Sequence, residues 1–149
     1  MLTYRDVSDL LNKYLTIKLV SAKVDFGKYG ELPIETPSVL LYVEPEGKKD
    51  TNANTFTFRK WAKVNIFVCE GGEEIPHEAA AKAVKLAEKV EKLISEFPQF
   101  ADENKLNINS MPTTIQATDQ PMSFDGYYSD IAVVNLEFLL TYSAHYEAE

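Results

Sequence analysis

The stretch Thr55-Phe56-Thr57-Phe58-Arg59-Lys60-Trp61-Ala62-Lys63-Val64-Asn65-Ile66-Phe67-Val68-Cys69-Glu70 decides the fold. Phe56, Phe58, Lys60, Ala62, Val64, Ile66 and Val68 keep one phase of a two-residue alternation, and Thr57, Arg59, Trp61, Lys63, Asn65, Phe67 and Cys69 hold the other. That period is the period of a β-strand, whose successive side chains point to opposite faces. A strand from 55 to 70 reaches about 50 Å, several times the span of a typical one. A compact chain of this size has a radius of gyration of only about 15 Å. The end near Phe56 and Phe58 is therefore expected to protrude, carrying rings that need a cover. Upstream, Ser38-Val39-Leu40-Leu41-Tyr42-Val43-Glu44 reads as the partner strand, apolar on both faces. Pro45 to Asn54, with Gly47, Asp50, Asn52 and Asn54, reads as the polar loop of this long hairpin.

Gly71-Gly72 closes the strand, and a helix is expected over 77–97. Pro76 suits a first-turn position, and Glu73, Glu74 and Glu78 suit the positive end of the dipole. Ala80, Ala83, Val84, Ala87, Val90, Ile94 and Phe97 form its apolar stripe, and Pro98 is expected to stop it. Thr113 to Thr118 reads as a strand, Pro121 to Gly126 as a turn, and Tyr127 to Ser143 as a last long strand. Before the hairpin, Thr3 is an N-cap with Asp6 three residues on, and Val7, Leu10, Leu11 and Tyr14 recur at helical spacing. Val20 to Phe26 alternates briefly, and Gly27 to Pro37 reads as loop. The pattern predicts one α+β domain over 1–149. Its antiparallel or mixed sheet carries a long β-hairpin, one long amphipathic helix on one face and a short N-terminal helix.

The 149 residues are 45% hydrophobic and 26% charged, a globular balance able to bury a core. Met1 to Asp6 lacks a signal-peptide pattern and no run is apolar enough to span a membrane, so a cytoplasmic domain is expected. The net charge is −8, and residues 101–149 hold −7 of it with Lys105 as their one cation. That balance argues against specific nucleic-acid binding, which needs clustered Lys and Arg. No phosphate-binding, dinucleotide-binding, hydrolase or zinc-protease motif is present. His77 and His145 lie far apart, and Cys69, the single cysteine, sits beside Glu70, which does not favour a thiolate. No catalytic residue, cofactor or metal ligand is expected.

The last strand is apolar on both faces. Ala132, Val134, Leu136, Phe138, Leu140 and Tyr142 line one, and Ile131, Val133 and Leu139 interrupt the polarity of the other. Either the strand is central and buried within the monomer, or its second face meets another chain. Trp61 and Phe67 favour association. Phe56, Phe58, Trp61, Phe67, Tyr127 and Tyr128 are the candidate interface anchors.

The succession Thr36-Pro37-Ser38-Val39-Leu40-Leu41-Tyr42-Val43, polar loop, Trp61-Ala62-Lys63-Val64-Asn65-Ile66-Phe67-Val68, helix 77–97 ending in Phe97-Pro98, and a terminal strand from Asp130 to Tyr142 resembles the tail-terminator (tail-completion) proteins of long-tailed phages. The resemblance covers most of residues 1–143 and lies in order, lengths and hydrophobic pattern. It implies a hexameric ring that caps the tail tube at the head–tail junction. Its partners would be copies of itself, the tail-tube protein and the head–tail connector, first in the cytoplasm and then in the virion. In such a ring, Asp119, Asp125, Asp130 and Glu137 are candidates to face the lumen and repel DNA. A different neck or minor capsid component, and a small α+β ligand-binding or interaction domain, remain as alternatives.

Overall fold

The computed structural model describes residues 3–28, 31, 33, 35–52, 57–103 and 113–145. The alternation over the long hairpin becomes two paired strands, β2 (Ser38–Asn52) and β3 (Thr57–Glu70). Their antiparallel register runs from Ser38↔Cys69 to Asn52↔Thr57, broken at Pro45/Gly47 and Asp50/Asn52. The segment expected as loop from Pro45 is thus strand as far as Asn52. Its polar residues form the outer part of an arm that β5 flanks as far as Thr57↔His145, because pairing with β3 supplies the backbone hydrogen bonds that a loop would take from water. Phe56 lies outside the described residues.

The remaining elements are α1 (Tyr4–Lys18), β1 (Lys23–Phe26), α2 (Pro76–Glu103), β4 (Thr114–Tyr128) and β5 (Ile131–His145). The fold is α+β, with one five-stranded mixed sheet of order β1-β2-β3-β5-β4. Only β1 is parallel to its neighbour, pairing Lys23↔Ser38 through Phe26↔Leu41. β5 is an interior strand, flanked by β3 from Thr57↔His145 to Glu70↔Ala132 and by the edge strand β4 on its other side. The turn expected over 121–126 is instead part of β4. Register breaks at Ala117/Met122 and Phe124/Gly126 absorb Pro121 within the strand. The actual turn is Ser129-Asp130, with Ser129 at φ 60°.

Both helices pack on the same sheet face. The capping box at the start of α1 is complete: Asp6 N donates to Thr3 Oγ1 at 3.2 Å and Thr3 N donates to Asp6 Oδ2 at 2.8 Å. Val7, Leu11, Tyr14 and Leu15 then face the core. α2 buries Ala79, Ala83, Ala87, Val90, Ile94, Phe97 and Ala101, a stripe of three- and four-residue steps. Ala79 takes the buried position expected of Ala80. The helix also continues through Pro98, since Phe97 and Phe100 lie against Tyr14 at ring separations of 5.5 and 4.8 Å. That packing offsets the hydrogen bond the proline cannot make. Beneath the helices lie Val39, Leu41, Val64, Ile66, Val68, Val134, Leu136 and Leu140, each at most 1% exposed.

Candidate functional site

Because a strand alternates, burying Val64, Ile66 and Val68 under the helices sends Lys63, Asn65, Phe67 and Cys69 to the opposite face. Their cross-strand neighbours follow: Leu40 opposite Phe67, Tyr42 opposite Asn65, and on the other side Asn135 opposite Phe67 and Val133 opposite Cys69. No described helix covers this face. What lies over it is the segment after β1, whose first step is fixed by Gly27 N donating to the Leu41 carbonyl at 2.9 Å. A Cβ on Gly27 would overlap the ring of Tyr42, so only glycine lets the segment cross so close. The Tyr42 hydroxyl donates to the Lys28 carbonyl at 3.2 Å, and its ring meets Phe67 edge-on at 5.3 Å.

The result is a cavity of about 650 Å³, open to solvent, on the uncovered face. Leu40, Tyr42, Phe67, Cys69 and Val133 form its floor, with Tyr128 at one end. Glu31, Glu44 and Asp125 stand among the described residues that line it, which include no Lys, Arg or His. Tyr128 donates to Asp125 Oδ2 at 3.0 Å, and that bond to the carboxylate raises the phenol above its ordinary range. Burial, helped by the Asp125 charge, pushes the Cys69 thiol up to about 11. Cys69 is therefore a neutral, buried apolar contact at physiological pH and not a nucleophile.

Most of the expected anchors can be placed. Phe67 is in the cavity floor, and Trp61 lies half-buried further out on the same face. The indole rests against Gly47, whose missing side chain leaves room for it: a Cβ there would stand 3.2 Å from the ring. Tyr127 and Tyr128 separate, since neighbours on a strand point to opposite faces. Tyr128 lines the cavity, whereas the Tyr127 ring meets Phe124 at 5.0 Å and both remain about half exposed. Phe58 belongs to the arm by its backbone, and its side chain lies outside the described residues.

The three acidic candidates whose side chains are described stand in different settings. Glu137 is paired with Lys63 at 3.6 Å on the open face, Asp125 is held by Tyr128, and Asp130 is exposed at the β4–β5 turn. The Asp119 side chain lies outside the described residues. The cavity also draws on residues that local pattern did not single out. Leu40 and Tyr42 are visible as the second phase of β2, but nothing local marks Glu31 and Pro33, which arrive by the folding-back of a loop. Among the described residues, no three His, Cys, Asp or Glu side chains converge as a metal site would require. No helix there is long and apolar enough to cross a membrane. No protein-family model matches the chain, and no curated protein matches it.

Proposed function

We propose that this chain is a ring-forming structural protein of a phage or prophage tail, acting at the head–tail junction to end growth of the tail tube. The observation that carries the reading is the uncovered sheet face. Both helices are spent on one side, which leaves Leu40, Tyr42, Trp61 and Phe67, each only partly buried, on the other for a neighbouring chain to bury. Further support comes from the resemblance in element order and from the long β2–β3 hairpin, whose register runs about 40 Å from the Ser38↔Cys69 end to Asn52↔Thr57. The mechanism is geometric. Copies close into a ring through their sheet faces, one rim of the ring occupies the last tube ring, and the other rim is offered to the connector. In this reading Asp130, exposed at its turn, is a candidate to face the lumen.

The test is sedimentation equilibrium from micromolar to millimolar concentration, with negative-stain microscopy of the concentrated sample. Rings with a central opening, able to stop tail-tube polymerisation when added to it, are the expected result. A chain that stays monomeric at millimolar concentration overturns the reading.

A further inference from the structure

Strand register separates the carboxylates of the large cavity. Glu44 stands opposite Lys63, which is also paired with Glu137 at 3.6 Å. Asp125 stands beside Gly126, whose partner Val133 lies opposite Cys69. Lys63 and Cys69 are about 20 Å apart along β3, so Glu44 and Asp125 mark opposite ends. Glu31 also borders a smaller neighbouring cavity of about 150 Å³, which Lys23 and Lys28 line. Asp125, by contrast, has no cation paired with it among the described residues. Its hydrogen bond comes from the neutral Tyr128 phenol at 3.0 Å, and none of the described ion pairs includes it. Its charge is felt at the floor, where it adds to the burial that pushes the Cys69 thiol up.

We propose that this cavity binds a small organic monocation, with its ammonium group at the Asp125–Tyr128 end and its apolar body on Leu40, Phe67 and Val133. The inference is independent of the ring reading, because it concerns the open face of a single chain. Volume, floor and charge select the ligand class together. About 650 Å³ is within the range of small-molecule sites. The floor of Leu40, Phe67, Cys69 and Val133 offers no ligands to a hydrated metal ion but covers an aromatic or branched aliphatic body. Tyr42, Phe67 and Tyr128 bring three aromatic rings to the lining, and such rings attract an organic cation through their π faces. An anion would meet Glu31, Glu44 and Asp125 with no described lining cation to answer them. A dication would have to displace Lys63 at the Glu44 end. The wall at Tyr42 is set before any ligand arrives, by its bond to the Lys28 carbonyl, its edge contact with Phe67 and the close approach of Gly27. A preformed wall lowers the ordering cost of binding.

The experiment titrates the full chain, isotopically labelled and at micromolar concentration, with three probes of one size and different charge: 2-phenylethylammonium, 2-phenylethanol and phenylacetate. Amide chemical shifts locate the site, and titration to about 10 mM covers the affinity of so small a ligand. The cation is expected to bind about tenfold more tightly than the alcohol, and phenylacetate more weakly than either. Shifts should centre on Leu40 to Tyr42, Phe67 to Cys69, Tyr128 and Val133. Asp125→Asn keeps an acceptor for the Tyr128 hydroxyl and removes the charge, so it should lose most of the cation's advantage while binding 2-phenylethanol as the parent does. Added salt should erode the same advantage in the parent chain, which provides the reading if the variant does not fold. Equal affinity for cation and alcohol marks a plain apolar groove, and overturns the inference. So do shifts centred elsewhere, an advantage that survives Asp125→Asn, and no binding of the cation by 10 mM. Sedimentation of the unliganded chain reads ring formation separately, so either proposal can fail while the other stands.

Discussion

Adjacent residues on β3 give opposite expectations. Ile66 is fully buried under the helices, with Leu41 and Leu136 beside it across the two neighbouring strands. Ile66→Ala removes three carbons from a packed site. At about 0.8 kcal/mol each, plus the cavity left behind, the cost is about 3–4 kcal/mol, inside the range for such core truncations. For a chain of this size that lowers the melting temperature by roughly 10 °C. Phe67 is half-buried on the uncovered face, and its chief described ring contact is Tyr42 at 5.3 Å. Phe67→Ala therefore costs about 1–2 kcal/mol in the isolated chain and shows its main effect as lost self-association. Urea titration at micromolar concentration gives the first quantity, and sedimentation equilibrium at high concentration gives the second. If Phe67→Ala destabilises the dilute monomer as much as Ile66→Ala while leaving association unchanged, that face is core, and the argument from an uncovered sheet fails.

Three further outcomes follow from single contacts. Tyr14→Phe keeps the ring packing on Phe97 and Phe100 but removes the hydroxyl's bond to the Leu93 carbonyl at 2.6 Å, so calorimetry should show a loss of about 1 kcal/mol. Burial, then Glu96, raises the Tyr14 phenol, so its contribution is whole below about pH 10 and is lost as pH rises through the folded value; the variant lacks that alkaline decline. Thr3→Ala should cost about 1 kcal/mol at pH 7, since the capping box goes. The bonds from Thr3 hold the Asp6 carboxyl below its usual range, so part of that cost is present above about pH 4 and fades as pH falls through the folded value; parallel urea titrations from pH 7 to 2.5 check it. With its thiol near 11, Cys69 should react with a disulfide reagent at pH 8 about a hundredfold more slowly than a free cysteine, and fully once urea unfolds the chain. Reaction of the native protein at the free-thiol rate would show that Asp125 and burial do not protect it.

What was legible in the sequence is whatever one local period determines. The alternation of β3 and the capped start of α1 match their structures to within a few residues, and the stripe of α2 is as expected except that the helix runs six residues past its expected end at Phe97, to Glu103. Expectations failed where tertiary pairing overrode local chemistry. Gly47, Lys48, Lys49 and Asp50 have loop composition but are held as strand by β3, Pro98 does not end α2, and Pro121 falls in a register break of β4 without ending the strand. The parallel pairing of β1 could not be read from Val24 and Phe26 alone. At the candidate site, Trp61 and Phe67 were legible because alternation assigns faces. Glu31 and Pro33 depend on a returning loop, which leaves no periodic trace, whereas Tyr127 and Tyr128 part by the ordinary alternation of a strand.

The margins of the sheet bear on how copies meet. β1 is a four-residue strand carrying Lys23 and Asp25, and it covers β2 only as far as Leu41. Past that point the Tyr4 hydroxyl takes the Val43 carbonyl, and Pro45, two register breaks and two lysines disrupt the rest of the outer margin. On the far side, β4 is broken twice and carries Pro121. Each margin thus carries features that deter another chain from adding its backbone hydrogen bonds to the ladder. In the proposed ring, contacts between copies would then run through side chains, not main-chain ladders. A contact of that kind has one orientation and a finite number of members, whereas laddered growth has neither, and a single substitution can abolish it without creating a route to fibres.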